Sequence, residues 1–147
     1  MVKKTPNNLH QTLPAAQMGG TPPLEGNTHK FPFQIAYCDT DAGGIVYHAR
    51  YIEIAERARM SWINGAVPPG GDVGLVIREL SVKYMRPLKL ADNIIVETVL
   101  LERGTASLTV EQRFLRDGEI HAIMKLRAAY IGGDMKPKRI PDEYMAV

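Results

Sequence analysis

The sequence predicts an α+β fold: one long helix wrapped by a five-stranded antiparallel sheet. Three observations predict it. One segment alone, from Ala49 to about Ile63, carries a sustained helical period. Four strand-like stretches follow it, and the later ones are separated by short Gly-containing turns. One further strand pattern precedes the helix. A lone helix must bury its apolar stripe, and the concave face of the sheet is the partner at hand.

The elements follow in order. Residues 1–29 are rich in Pro, Gly, Asn, Gln and Thr without a period, which predicts a flexible arm ahead of a folded domain over 30–147. "FPFQIAYC", 31–38, is the first strand pattern. In the helix, Tyr51, Ile52, Ala55, Ala58, Trp62 and Ile63 recur at steps of three and four, and Glu53 and Arg57 form an i, i+4 pair. Asn64-Gly65 ends it. "VGLVIRELSVKYM" (73–85) is stopped by Pro87. "NIIVETVLLE" (93–102), "ASLTVEQRFL" (106–115) and "EIHAIMKLRAAYIG" (119–132) complete the set, with Asp117-Gly118 a hairpin signal before the last. Tight successive connections predict an antiparallel meander. In the last strand Ile120, Ala122, Met124, Leu126, Ala128 and Tyr130 share one face. Ile123, Ala129 and Ile131 interrupt the polar face opposite, which predicts that a second copy covers part of it.

Composition narrows the function. With 147 residues the chain is one domain, able to build a core without disulfides. A formal net charge of +2 is too weak a signal for nucleic acid. No apolar run approaches the ~20 residues of a membrane span, and the N-terminus lacks the apolar segment of a secretory signal. The expected location is the cytoplasm. The single cysteine, Cys38, suits a reducing compartment and, lying in an apolar strand pattern, is expected to be a buried structural thiol. The histidines and this cysteine do not fall at metal-site spacing, so no metal or other cofactor is expected.

The chemistry concentrates in "CDTDAGGIVYHARY", 38–51, between the first strand and the helix. Gly43-Gly44 permit backbone angles closed to other residues. His48 and Ala49, the candidates for the helix N-cap, are poor caps. The first-turn N–H groups are therefore available, at the positive end of the helix dipole. Backbone donors beside a carboxylate are the minimum apparatus for hydrolysing an activated acyl group. A nucleophile elbow of the form GxSxG is absent from the sequence. Asp-Thr-Asp before Gly-Gly is also an ordinary polar turn, and on residue types alone both readings stand.

The longer string "DTDAGGIVYHARYIEIAERAR", 39–59, resembles the signature of the 4-hydroxybenzoyl-CoA thioesterase family, hot-dog-fold acyl-CoA thioesterases, and is most similar to its Tol–Pal-associated branch. The similarity continues through "VKYMRPLKLADNIIVET" and "ASLTVEQRFLRDGE" to "KPKRIP" at 136–141, leaving only the arm outside it. The resemblance implies hydrolysis of acyl-CoA without a metal or redox cofactor. It implies Asp41 as catalytic carboxylate, either base or nucleophile. It implies the His48 backbone N–H as the group polarising the thioester carbonyl, with Tyr47 and the His48 ring beside it. Asp39 is then a loop brace. Gly43 and Gly44 shape the loop, Tyr51 reaches the acyl chain or the core, and Arg86, with Lys83, Lys89, Lys136, Lys138 and Arg139, is a candidate for coenzyme A phosphates. The family assembles as homodimers that pair into homotetramers. An acyl carrier protein is the alternative thioester carrier, and a non-catalytic acyl-CoA binding module is the rival function. Ala55 departs from the branch pattern, where an aromatic residue or Met is frequent.

Overall fold

The computed structural model describes residues 28–144. The predicted arm therefore lies almost wholly outside the described residues. Its last two positions, Thr28 and His29, open strand β1 (Thr28–Gln34). Helix α1 spans Arg50–Trp62. Strands β2 (Gly74–Tyr84), β3 (Asn93–Arg103), β4 (Ser107–Arg116) and β5 (Glu119–Ile131) follow. They form one antiparallel sheet in the order β1-β3-β4-β5-β2. A single helix held by a five-stranded antiparallel sheet is the hot-dog fold.

The meander holds only for β3-β4-β5. There Asp117 (φ 49°) and Gly118 (φ 78°) make the two-residue turn their sequence predicts. The β2–β3 connection is instead a crossing from one side of the sheet to the other. Its sequence, "MRPLKLAD", contains Pro87 and no tight-turn pair. Its backbone finds partners outside the sheet ladder: Met85 and Arg86 N–H donate to His121 O, and Ala91 N–H donates to Ile35 O. Leu88 is fully buried on the way. β2 is left on one edge beside β5, and β1 on the other beside β3.

The core lies between α1 and the sheet. Tyr51, Ile54, Ala55, Ala58 and Trp62 form the buried stripe of the helix, against Val96, Val110, Phe114, Met124 and Leu126. Each large apolar side chain so buried contributes roughly 1.5–3 kcal/mol. Ile52 and Ile63, expected on the stripe, are partly buried at its margin. Ala55 and Ala58, both 0% exposed, let the helix lie close to the sheet. Gln112 then donates from β4 to Ala55 O (2.9 Å) and Thr98 Oγ1 (3.0 Å), while accepting from Arg59 Nη1 (2.8 Å). The expected Glu53–Arg57 pair gives way to a Glu53–Arg50 pair one turn earlier.

In β5, Ala122, Met124, Leu126, Ala128 and Tyr130 share the core face as expected. Ile120 does not. A register shift between Phe114 and Leu115 pairs Leu115 with Ile120, and both join Ile123 in a separate small cluster.

Candidate active site

The first strand stops at Gln34, earlier than its apolar pattern suggests, and Tyr37–Asp39 turn as a 3-10 helix. This exposes Cys38, contrary to the expected buried thiol; its Sγ lies 3.8 Å from Asp39 Oδ1 and 3.9 Å from Arg50 Nη2. The turn buries Asp39 instead, at 1% exposure. Its Oδ2 accepts from Ala36 N–H (2.8 Å), its Oδ1 from Arg50 Nε (2.8 Å), and its carbonyl from Tyr47 N–H (3.0 Å). The carboxylate raises the pKa of the Arg50 guanidinium above its ordinary value. Asp39 thus ties the exit of β1 to the entrance of α1, the bracing role expected of it.

Between these ties the loop doubles back. Thr40 pairs with Val46, Asp41 N–H donates to Ile45 O (2.9 Å), and Gly44 N–H to Asp41 O (3.0 Å). Gly44 has φ +77°, a left-handed conformation that glycine adopts without a Cβ penalty. Gly43 N–H donates to Asp41 Oδ1 (2.8 Å), which fixes the exposed carboxylate. The crossing segment supports the loop from behind, with Val46 N–H donating to Leu88 O (2.8 Å) and Ile45 paired with Lys89.

The helix begins uncapped: Ala49 is the N-cap residue and supplies no side-chain hydrogen bond. Among the described residues, no group accepts from the His48 N–H. His48 O accepts from the Tyr84 hydroxyl (2.6 Å).

Asp41, His48, Tyr51, Tyr84 and Arg86 line one cleft of about 320 Å³. Tyr51 forms its floor at 3% exposure, edge-on to Tyr84 (5.1 Å) and Phe114 (5.2 Å). Burial pushes both the Tyr51 and Tyr84 phenols above the ordinary tyrosine pKa, so both are neutral at pH 7; the Tyr51 hydroxyl accepts from Leu88 N–H (3.4 Å). Tyr47 is half exposed with its ring 4.4 Å from the His48 ring, and is not among the lining residues. Arg86 stands at the mouth in an exposed pair with Glu119 (2.8 Å), a pairing worth ~1 kcal/mol or less. Lys138 is held elsewhere by Asp72 (3.0 Å). A larger hollow, about 540 Å³, lies among Glu79, Glu102, Lys125 and Arg127; none of the loop residues reaches it. Among the described residues no three His, Cys, Asp or Glu side chains cluster to hold a metal ion, and no helix is long and apolar enough to cross a membrane.

Sequence patterning did not single out Tyr84, which falls within the strand pattern 73–85. The available signal was its place at the end of that strand, directly ahead of the Pro87 crossing.

The hot-dog sheet, the uncapped helix start and the carboxylate on a glycine turn fit the thioesterase class. Comparison with known proteins agrees. The chain belongs to the thioesterase-like superfamily, whose family model matches residues 36–147. It is 34% identical over 127 residues to the acyl-CoA thioesterase YbgC of Haemophilus influenzae, covering 82% of this chain and 93% of that protein. It is 30% identical over 125 residues to the acyl-CoA thioester hydrolase YbgC of Escherichia coli O6:H1, covering 80% and 92%. Among solved structures, a probable thioesterase from Bartonella henselae superposes with a TM-score of 0.71 at 28% identity, covering 78% of this chain and 99% of that one.

Proposed function

We propose that this chain hydrolyses acyl-CoA thioesters to the free acid and coenzyme A, with Asp41 as the catalytic carboxylate and the His48 N–H as the electrophilic donor. The observation that carries the reading is their meeting in one cleft. Asp41, its carboxylate held by Gly43 N–H, and His48, whose amide has no acceptor among the described residues, line the same cavity. The thioester carbonyl sits with its oxygen toward the His48 N–H, where negative charge develops as the carbonyl carbon becomes tetrahedral. In the base route, Asp41 takes a proton from water and the resulting hydroxide adds to that carbon. Collapse expels the coenzyme A thiolate, which takes up the proton. In the nucleophile route, Asp41 Oδ adds directly, thiolate leaves, and water opens the acyl–aspartyl anhydride. A thiolate departs without prior protonation, so neither route needs a separate general acid.

Tyr47 buttresses the His48 ring, Gly43 and Gly44 shape the turn, Tyr51 meets the acyl group and Arg86 meets a coenzyme A phosphate at the rim. The open cleft is completed by a second copy across a sheet edge, and dimers pair into tetramers. The enzyme works in the cytoplasm. Coenzyme A is the expected carrier, with acyl carrier protein the alternative.

The test is thiol release from short, long and aromatic acyl-CoAs. Turnover of any of these supports the reading. Tight binding of acyl-CoA with no turnover on coenzyme A or acyl carrier protein thioesters replaces it with a binding module. A single turnover in oxygen-18 water then tests the nucleophile route, since label enters Asp41 only when water opens an acyl–aspartyl anhydride at the aspartyl carbon.

A further inference from the structure

The helix entrance is tighter than an α-helix requires. Arg50 N–H donates to Tyr47 O (2.9 Å) and Ile52 N–H to Ala49 O (3.2 Å), both spanning three residues. Helix α1 starts at Arg50 with Ala49 as its N-cap, so His48 O lies outside the α-helical ladder. That carbonyl is taken by the Tyr84 hydroxyl at 2.6 Å. The hydroxyl comes from a different element, the last residue of edge strand β2.

We infer that Tyr84 is a positioning residue for the thioesterase reaction: by holding the His48 carbonyl it sets the direction of the His48 N–H and the strength of the neighbouring Ala49 N–H. The inference rests on the function proposed above. Two effects follow from one hydrogen bond. Geometrically, fixing the carbonyl of His48 removes the residue's freedom to rotate into a regular helical turn, and the amide on its other side is aimed accordingly. Electronically, a donor on the His48 oxygen polarises the His48–Ala49 peptide and makes its N–H a stronger donor. The bond acts only through backbone, so it concerns how well the developing oxyanion is met and not how substrate is held.

The anchor is stiff. Tyr84 pairs with Ala122 of β5, and the next two residues both donate to His121 O, at 2.9 and 3.1 Å. Its ring stands edge-on to the buried Tyr51 at 82°. The hydroxyl is therefore presented from a frame independent of the loop it steadies.

Tyr84→Phe keeps the ring against Tyr51 and removes only the donor. With an acyl-CoA that wild type turns over, kcat is expected to fall about tenfold, equivalent to ~1.4 kcal/mol of barrier. KM is expected within twofold of wild type and the urea midpoint unchanged. A packing role alone would leave the Phe variant at wild-type kcat, and that result overturns the inference while the thioesterase reading stands. A raised KM at constant kcat also overturns it, by making Tyr84 a substrate contact. A wild-type protein that turns over no acyl thioester removes the reading itself and this inference with it.

Discussion

Arg50 and Asp39, eleven residues apart, meet at 2.8 Å beside the glycine loop, and the acid is 1% exposed. The pair joins the last turn before the loop to the first residue of α1. Asp39→Ala would strand both Arg50 Nε and the Ala36 N–H. The expected loss is ~2–3 kcal/mol of stability, read as a lower urea midpoint, with activity falling alongside because the loop loses its brace. Stability within ~0.5 kcal/mol of wild type would show that the brace is dispensable.

The two glycines of the turn do different jobs. A Cβ on Gly43 would lie 3.2 Å from Asp41 Oδ1, so alanine there must push the carboxylate. A Cβ on Gly44 meets no atom within 4 Å, but the residue has φ +77°. Gly43→Ala is therefore expected to lower kcat about tenfold through misplacement of the carboxylate with little change in melting temperature. Gly44→Ala is expected to cost ~1 kcal/mol of backbone strain. Steady-state kinetics and thermal melts on both variants check the contrast.

Glu97 is 3% exposed, its Oε2 has no hydrogen-bond partner among the described residues, and Arg113 Nη1 is 3.8 Å away. Burial pushes its carboxyl above the ordinary range against the opposing pull of Lys30 and Arg113. A carboxyl whose folded pKa is raised contributes stability in full below its unfolded pKa and loses it as pH rises through the folded value. A neutral isostere carries no such pH-dependent loss. Glu97→Gln is predicted to gain on wild type as pH rises from about 4.3 toward 7.5, by roughly 1.4 kcal/mol for each unit by which the folded pKa is raised. Melting curves from pH 4 to 8 test the sign. A Gln variant that loses ground to wild type over that rise would mean that the two cations outweigh burial.

The order of elements and the helix were legible because periodicity is local: α1 differs from its expected span by a single residue at either end. The Asp117-Gly118 hairpin was legible for the same reason, since two residues carry its backbone angles. The placement of β2 was not. It depends on where "MRPLKLAD" takes the chain, and its hydrogen bonds to His121 and Ile35 are long-range. Ile120 changed face through a bulge that no alternation announces. Cys38 surfaced because apolar residues continue past the point where strand pairing ends. In the site, the Asp41 turn followed from residue types, and the contrast between Asp39 and Asp41 from the resemblance. Tyr84 did not follow, because a tyrosine in an alternating strand is first a packing residue and its hydroxyl's partner is a carbonyl 36 residues away.

The central claim is that Asp41 does the chemistry. Asn keeps the shape and the acceptor for Gly43 N–H but removes the charge. The measurement is kcat/KM for coenzyme A release by wild type and Asp41→Asn on one good acyl-CoA substrate. The account predicts a loss of at least about a hundredfold with the melting temperature preserved, since the side chain is exposed. An Asp41→Asn protein within a few-fold of wild type would contradict it and move the catalytic role elsewhere in the cleft.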